Sequence, residues 1–146
     1  MYFNNILVGL DGSDRAMKAL ELAVQLEDKF DACLHIVSVY RHYGHFESSH
    51  SLVRPRAGLS APDEALKQIA REIVDMGVAR ARELGATGVK GTVKRGKPSR
   101  VLLDYTKEHA IDCIVLGKTG LGDGLVLGSV SNRVATLAPC TCITVT

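Results

Sequence analysis

The sequence holds no apolar run of the roughly 18 residues needed to cross a bilayer, so no membrane span is expected. Charge of one sign is also scarce: 18 Lys and Arg stand against 16 Asp and Glu, for a net charge of +2. No block of Arg and Lys interleaves with aromatic residues. The electrostatic footprint of a nucleic-acid binder is therefore missing. The four cysteines, Cys33, Cys113, Cys140 and Cys142, do not have the look of a disulfide framework. Cys33 and Cys113 sit inside strand-like apolar runs, where a free thiol behaves as a small hydrophobe. The opening residues MYFNNILVGLDGS lack a basic segment before the apolar run. No secretory leader is expected from them, and a reducing cytoplasm is the expected setting.

What remains is ordinary globular composition. The 146 residues are 46% hydrophobic and 23% charged, enough for one domain (1–146) with its own core. Strand-like and helix-like periods alternate along it. Ile6 to Leu10 is a short apolar run that stops at Asp11-Gly12-Ser13. Ala16, Ala19, Leu20, Ala23, Val24 and Leu26 then recur at helical spacing, with Ser13 as the N-cap. CLHIVSVY (33–40) predicts a second strand, and residues 41–61 show no period. Leu66, Ile69, Ala70, Ile73, Gly77, Ala81 and Leu84 mark a second helix, entered through Pro62 in a stretch that resembles a capping box. VKGTVKR (89–95) is a more polar strand, expected near a sheet edge. A helix opened by Pro98, a strand DCIVLG (112–117), a helix SVSNRVATLA (129–138) and a strand CTCITVT (140–146) complete the chain.

Such alternation predicts parallel strands joined by right-handed helical crossovers. The continuous apolar runs of the first, second and fourth strands predict burial on both faces. The expected fold is α/β, an open, doubly wound, five-stranded parallel sheet. Ligands bind such sheets beyond the carboxyl ends of the strands, where the winding reverses.

Five glycines fall between Gly117 and Gly128, directly after the fourth strand. Glycine lets backbone N–H groups approach and converge on an anion. The loop also runs into a helix start at Ser129, where backbone donors are unpaired and the dipole is positive. A phosphate is at home there. Ser129 could cap the helix, donate to phosphate, or both. A flexible connector with Ser129 as an ordinary cap is the alternative, since glycine-rich loops are unspecific. Two familiar phosphate motifs fail. A P-loop would need glycine where Asp112 stands, and the turn after the first strand lacks the dinucleotide spacing. A phospho-accepting receiver would need an acid at the end of the third strand, which reads VKRGKP.

ILVGLDGS, GKPSRVLLDYTKEHAIDCIVLG and GSVSNRVATLAPCTCITVT together resemble the universal stress protein family over all but residues 41–61. The resemblance implies a Rossmann-like sheet of the adenine nucleotide alpha hydrolase-like type, with strand order 3-2-1-4-5. Its nucleotide-binding branch carries G-x2-G-x9-G-[ST] and binds ATP, so the resemblance implies ATP here, with Mg²⁺ as a candidate counter-ion. Gly117, Gly120, Gly128 and Ser129 match that pattern. Asp11 then falls where the family contacts adenosine, Val39 where it lines the adenine site, and Val130 at a further contact. Leu10, Leu116, Thr119 and Ser131 are neighbours of these positions. Seven residues separate Gly120 from Gly128 instead of nine. Gly122 and Gly124 would compensate for the shorter loop, and Asp123 would either hold Mg²⁺ or repel the phosphates.

The residues show no nucleophile, base and orienting partner as a set. Asp11 suits ribose binding better than proton transfer. By the resemblance, slow ATP hydrolysis or self-phosphorylation at Ser129 or Ser131 is conceivable, but the expected role is a regulatory binding module in the stress response. The alternative is a nucleotide-free dimeric interaction protein on the same scaffold. His42, His45 and His50 could share a metal, although a solvated loop is the plainer reading. Arg41, Arg54 and Arg56 could close over phosphates. Cys140 and Cys142 share one side of the last strand, as core thiols rather than a metal or redox pair. The resemblance also implies a homodimer through residues 140–146, an edge with open backbone groups.

Overall fold

The computed structural model describes residues 2–41, 61–118 and 129–146. In chain order it has β1 (Asn5–Gly9), α1 (Asp14–Phe30), β2 (Cys33–Tyr40), α2 (Ala61–Glu83), β3 (Val89–Arg95), α3 (Pro98–Glu108), β4 (Cys113–Gly117), α4 (Ser129–Leu137) and β5 (Thr141–Val145). The strands form one parallel sheet in the order β3-β2-β1-β4-β5. The expected α/β architecture and strand order are both present. His42, His45, His50, Arg54, Arg56, Thr119, Gly120, Gly122, Asp123, Gly124 and Gly128 lie outside the described residues.

Period-2 alternation divides the core into two layers. Ile6 and Val8 of β1, Leu34 and Ile36 of β2, and Cys113 and Val115 of β4 face α1 and α2. Leu7, Val37, Ile114 and Leu116 face α3 and α4 instead. The central strands are thus covered on both sides, as their unbroken apolar runs require. β3, with Lys90, Lys94 and Arg95, is the half-exposed edge that its polarity predicts. Cys140 and Cys142 pack against the α3–α4 layer. Cys113 points into the other layer, where burial, reinforced by Cys140, pushes its thiol up to about 12.

Local signals set the element ends. Ser13 has extended backbone, and its Oγ accepts a bond from Ala16 N at 3.2 Å. Such a cap stabilises a helix by about 1 kcal/mol. Pro98 opens α3 at a position where no N–H is needed. Two strand starts fall one residue later than their sequence patterns suggest, at Cys113 and Thr141. Asp112 is drawn out of β4 because its carboxylate accepts bonds from Asn4 N and Asn5 N, at 2.8 and 3.1 Å. It secures the entry to β1.

Two polar side chains are buried to join elements. Glu27 of α1, 4% exposed, accepts from Thr87 N and Gly88 N, which fixes the turn into β3. His35 interrupts the apolar run of β2 and is buried on the α3 side. Its Nδ1 lies 2.8 Å from Tyr105 Oη and its Nε2 lies 3.2 Å from Asn5 Oδ1. The Tyr105 ring stacks on His109 with centroids 3.8 Å apart. Burial, with the nearby charges of His109 and Lys90, lowers the His35 pKa to about 4.

Candidate functional site

The winding reverses between β1 and β4, since the chain builds leftward through β2 and β3 before returning to β4. A cleft opens there, at the carboxyl ends of the strands, as the general rule for such sheets requires. Its cavity volume is about 170 Å³, below the roughly 300–1,000 Å³ of a complete small-ligand pocket, so it is an open slot that seats part of a ligand.

The walls come from six elements or their ends. Gly9, Leu10 and Asp11 contribute the end of β1, Ala16 the first turn of α1, and Val37 and Val39 the end of β2. Leu116 and Gly117 end β4, Pro98 and Leu102 come from α3, and Val130 and Ser131 from α4. The interior is mainly aliphatic, with polar groups near its mouth. Such a slot suits the flat face of a heterocyclic base, and the mouth suits its polar substituents.

Asp11 stands exposed on a turn that the backbone enforces. Gly12 has φ +88°, a conformation that favours glycine. Asp11 Oδ1 accepts from Ser13 N at 2.9 Å, which holds the carboxylate at the lip of the cleft. From there it can accept hydrogen bonds from a diol.

The end of β4 is fastened from three directions. Ser131 Oγ donates to Gly117 O at 2.8 Å, and Arg15 Nη1 donates to Lys118 O at 2.7 Å. Lys118 N donates to Val145 O of β5 at 2.7 Å. Gly117 lies hard against the first turn of α1. A Cβ built there would fall 2.6 Å from Arg15 C and 2.7 Å from both Ala16 N and Arg15 O. Glycine is needed at this point for backbone contact, whatever else it does.

Of the residues singled out from the sequence, Leu10, Asp11, Val39, Leu116, Gly117, Val130 and Ser131 line this one cleft. Ser129 is the exposed first residue of α4, and it is not part of the lining. The cap position before it falls on residue 128, outside the described residues. Ser131 is only 1% exposed and its hydroxyl proton is committed to Gly117 O. Of the two serines, Ser129 is therefore the accessible one.

Sequence reasoning passed over Gly9, Ala16, Val37, Pro98 and Leu102, which also line the cleft. The signals existed. Val37 shares a strand face with Val39, and Leu102 follows Pro98 at the i+4 spacing of one helix face. It also passed over Arg15, whose bond to Lys118 joins residues 103 apart in sequence. No local pattern announces that contact.

A family model described as the universal stress protein family matches residues 2–146. The universal stress protein YxiE of Bacillus subtilis is 32% identical over 146 residues, covering 94% of this chain and 95% of its own length. Among solved structures, the universal stress protein UspA from Lactobacillus plantarum superposes with a TM-score of 0.82 at 27% identity, covering 100% of this chain and 99% of that one. A universal stress protein crystallised in complex with cAMP superposes with a TM-score of 0.72 at 26% identity, covering 99% and 98%. The match spans nearly the whole chain, and the chain belongs to the universal stress protein family.

Proposed function

We propose that the switch-point cleft binds an adenine nucleotide, with ATP as the favoured form, and that the protein is a regulatory binding module of the stress response. The observation that carries this reading is the convergence, in one mostly aliphatic slot, of Asp11, Val39, Leu116 and Val130 from four separate elements. The base would enter between the valines of β2 and Leu116, and Asp11 would accept from the ribose hydroxyls. The phosphates would point toward the start of α4, where the helix dipole favours negative charge. By motif, Thr119, Gly120, Gly128 and Ser129 would attend them, with Mg²⁺ as counter-ion. The cAMP complex of a relative supports the class of ligand.

A homodimer through β5 is part of the same proposal. The two sheet edges differ in chemistry. β3 carries Lys90, Lys94 and Arg95, charges that discourage pairing, whereas β5 reads TCITV with none. The uncharged edge is the one suited to a second copy.

Isothermal titration calorimetry with ATP, AMP and cAMP in the presence of Mg²⁺ tests the ligand. Val39→Trp fills the slot with an indole and is expected to abolish the binding heat while leaving the circular dichroism spectrum intact. Absence of binding by the parent at about 1 mM of every nucleotide, a level of only some 4 kcal/mol, would refute the reading. So would undiminished binding by Val39→Trp.

A further inference from the structure

α3 and α4 have a second shared flank, which has no lining residue in common with the cleft. A groove between them is lined by Lys97, Arg100, Leu103, Asp104, Lys107, Arg133 and Leu137. Four cations there face one carboxylate, on a chain whose entire net charge is only +2. Among the described residues, none of the four forms an ion pair or a side-chain hydrogen bond. Arg80 and Arg95, elsewhere on the surface, are paired with Glu21, Glu83 and Asp63. The groove is not purely polar either. Leu137 is 52% exposed and Leu103 is half-buried.

We infer that this groove docks an acidic, leucine-bearing segment of a partner protein. Unpaired cations at the rim select a negative partner and speed its approach. The two leucines supply the apolar contact that an amphipathic helix or turn presents to a groove. Asp104 disfavours a continuous polyanion, because a phosphate backbone laid along the cations would meet its carboxylate. Among the described residues, no aromatic side chain lines the groove for bases to stack on. An acidic peptide with one donor opposite Asp104 satisfies every group.

The inference does not depend on the nucleotide reading, since the groove and the cleft use different side chains of the same helices. Fluorescence anisotropy with the whole chain tests it. The probe is a labelled synthetic helix of about four turns, rich in Glu, with leucines at i, i+4 and i+7. Exposed charge pairs each contribute about 1.4- to 5-fold in affinity, and each reversal removes one attraction and adds one repulsion, so Arg100→Glu with Arg133→Glu should weaken the probe by at least about fourfold. Leu137→Ser, or the probe with serines for leucines, should weaken it several-fold. The double variant should keep the thermal midpoint and any nucleotide affinity of the parent. Probe affinity unchanged in the double variant would overturn the inference. So would equal binding of the leucine-free probe, or tighter binding of an oligothymidine of equal charge or of phosphatidylserine vesicles. A parent that fails to bind the leucine probe also overturns it.

Discussion

Replacing Gly117 by alanine adds one methyl group at the tightest backbone contact beside the cleft. The new carbon would lie 2.6–2.7 Å from three main-chain atoms of Arg15 and Ala16. Comfortable carbon contacts begin at about 3.5 Å, so β4 and the first turn of α1 must separate by roughly 0.8 Å. Neither side yields easily. The turn is held by the Ser13 cap, and the strand end by bonds from Ser131 and Arg15. Overpacking of this kind costs about 1–3 kcal/mol. Losing the charge-assisted bond from Arg15 to Lys118 O adds about 1.5 kcal/mol or more. The reduced freedom of the unfolded chain offsets roughly 0.4–1 kcal/mol. A net loss of about 2–4 kcal/mol follows, read as a lower urea midpoint at unchanged slope. For a chain of this length that is a fall of about 5–15 °C in the thermal midpoint. Gly9→Ala is the control. Its added carbon would meet only the ends of the Leu102 and Leu116 side chains, both at 3.2 Å, which can turn aside for less than about 1 kcal/mol. If Gly117→Ala matches the parent within about 0.5 kcal/mol, the close-approach account is wrong, and the glycine is there for a ligand alone.

His35 titrates near 4 in the folded protein and near 6.5 when unfolded, so between those values the unfolded chain binds the extra proton. Stability is then full above pH 6.5 and falls as the pH drops toward 4, by about 2–3 kcal/mol from this group. Urea titrations at pH 7 and 4.5 should show a steeper loss for the parent than for His35→Gln; parallel profiles would rule the buried neutral imidazole out as the cause. For the β5 edge, light scattering on a sizing column should give twice the chain mass at micromolar concentration and a monomer for Thr144→Lys. A monomeric parent ends the dimer proposal.

The architecture was legible because each strand and helix wrote its own period. Ile6-Leu7-Val8 and Ile114-Val115-Leu116 read as doubly buried strands because both faces are indeed covered. Lys90 and Lys94 read as an edge for the opposite reason. Where the sequence pattern overran at Asp112, the cause was a contact outside the strand's own logic. Asp112 looks like the first residue of β4 until its carboxylate finds two amides of a segment over 100 residues earlier. The cleft was half legible. Asp11, Leu116 and Gly117 follow directly from knowing which strands border the switch point. Pro98 and Leu102 required knowing which face of α3 turns inward, and Arg15 required a distance that no spacing encodes. Ser131 looked like a phosphate neighbour, whereas its buried hydroxyl joins α4 to β4.

The crowding at residue 117 bears on how signatures are read across this fold. A glycine retained because main chain presses on main chain will survive in lineages that have discarded every small molecule. Its presence in a sequence therefore reports the seam between a strand and a helix, and says nothing by itself about cargo. The informative positions are those where bulk would be tolerated by the scaffold and is nevertheless absent.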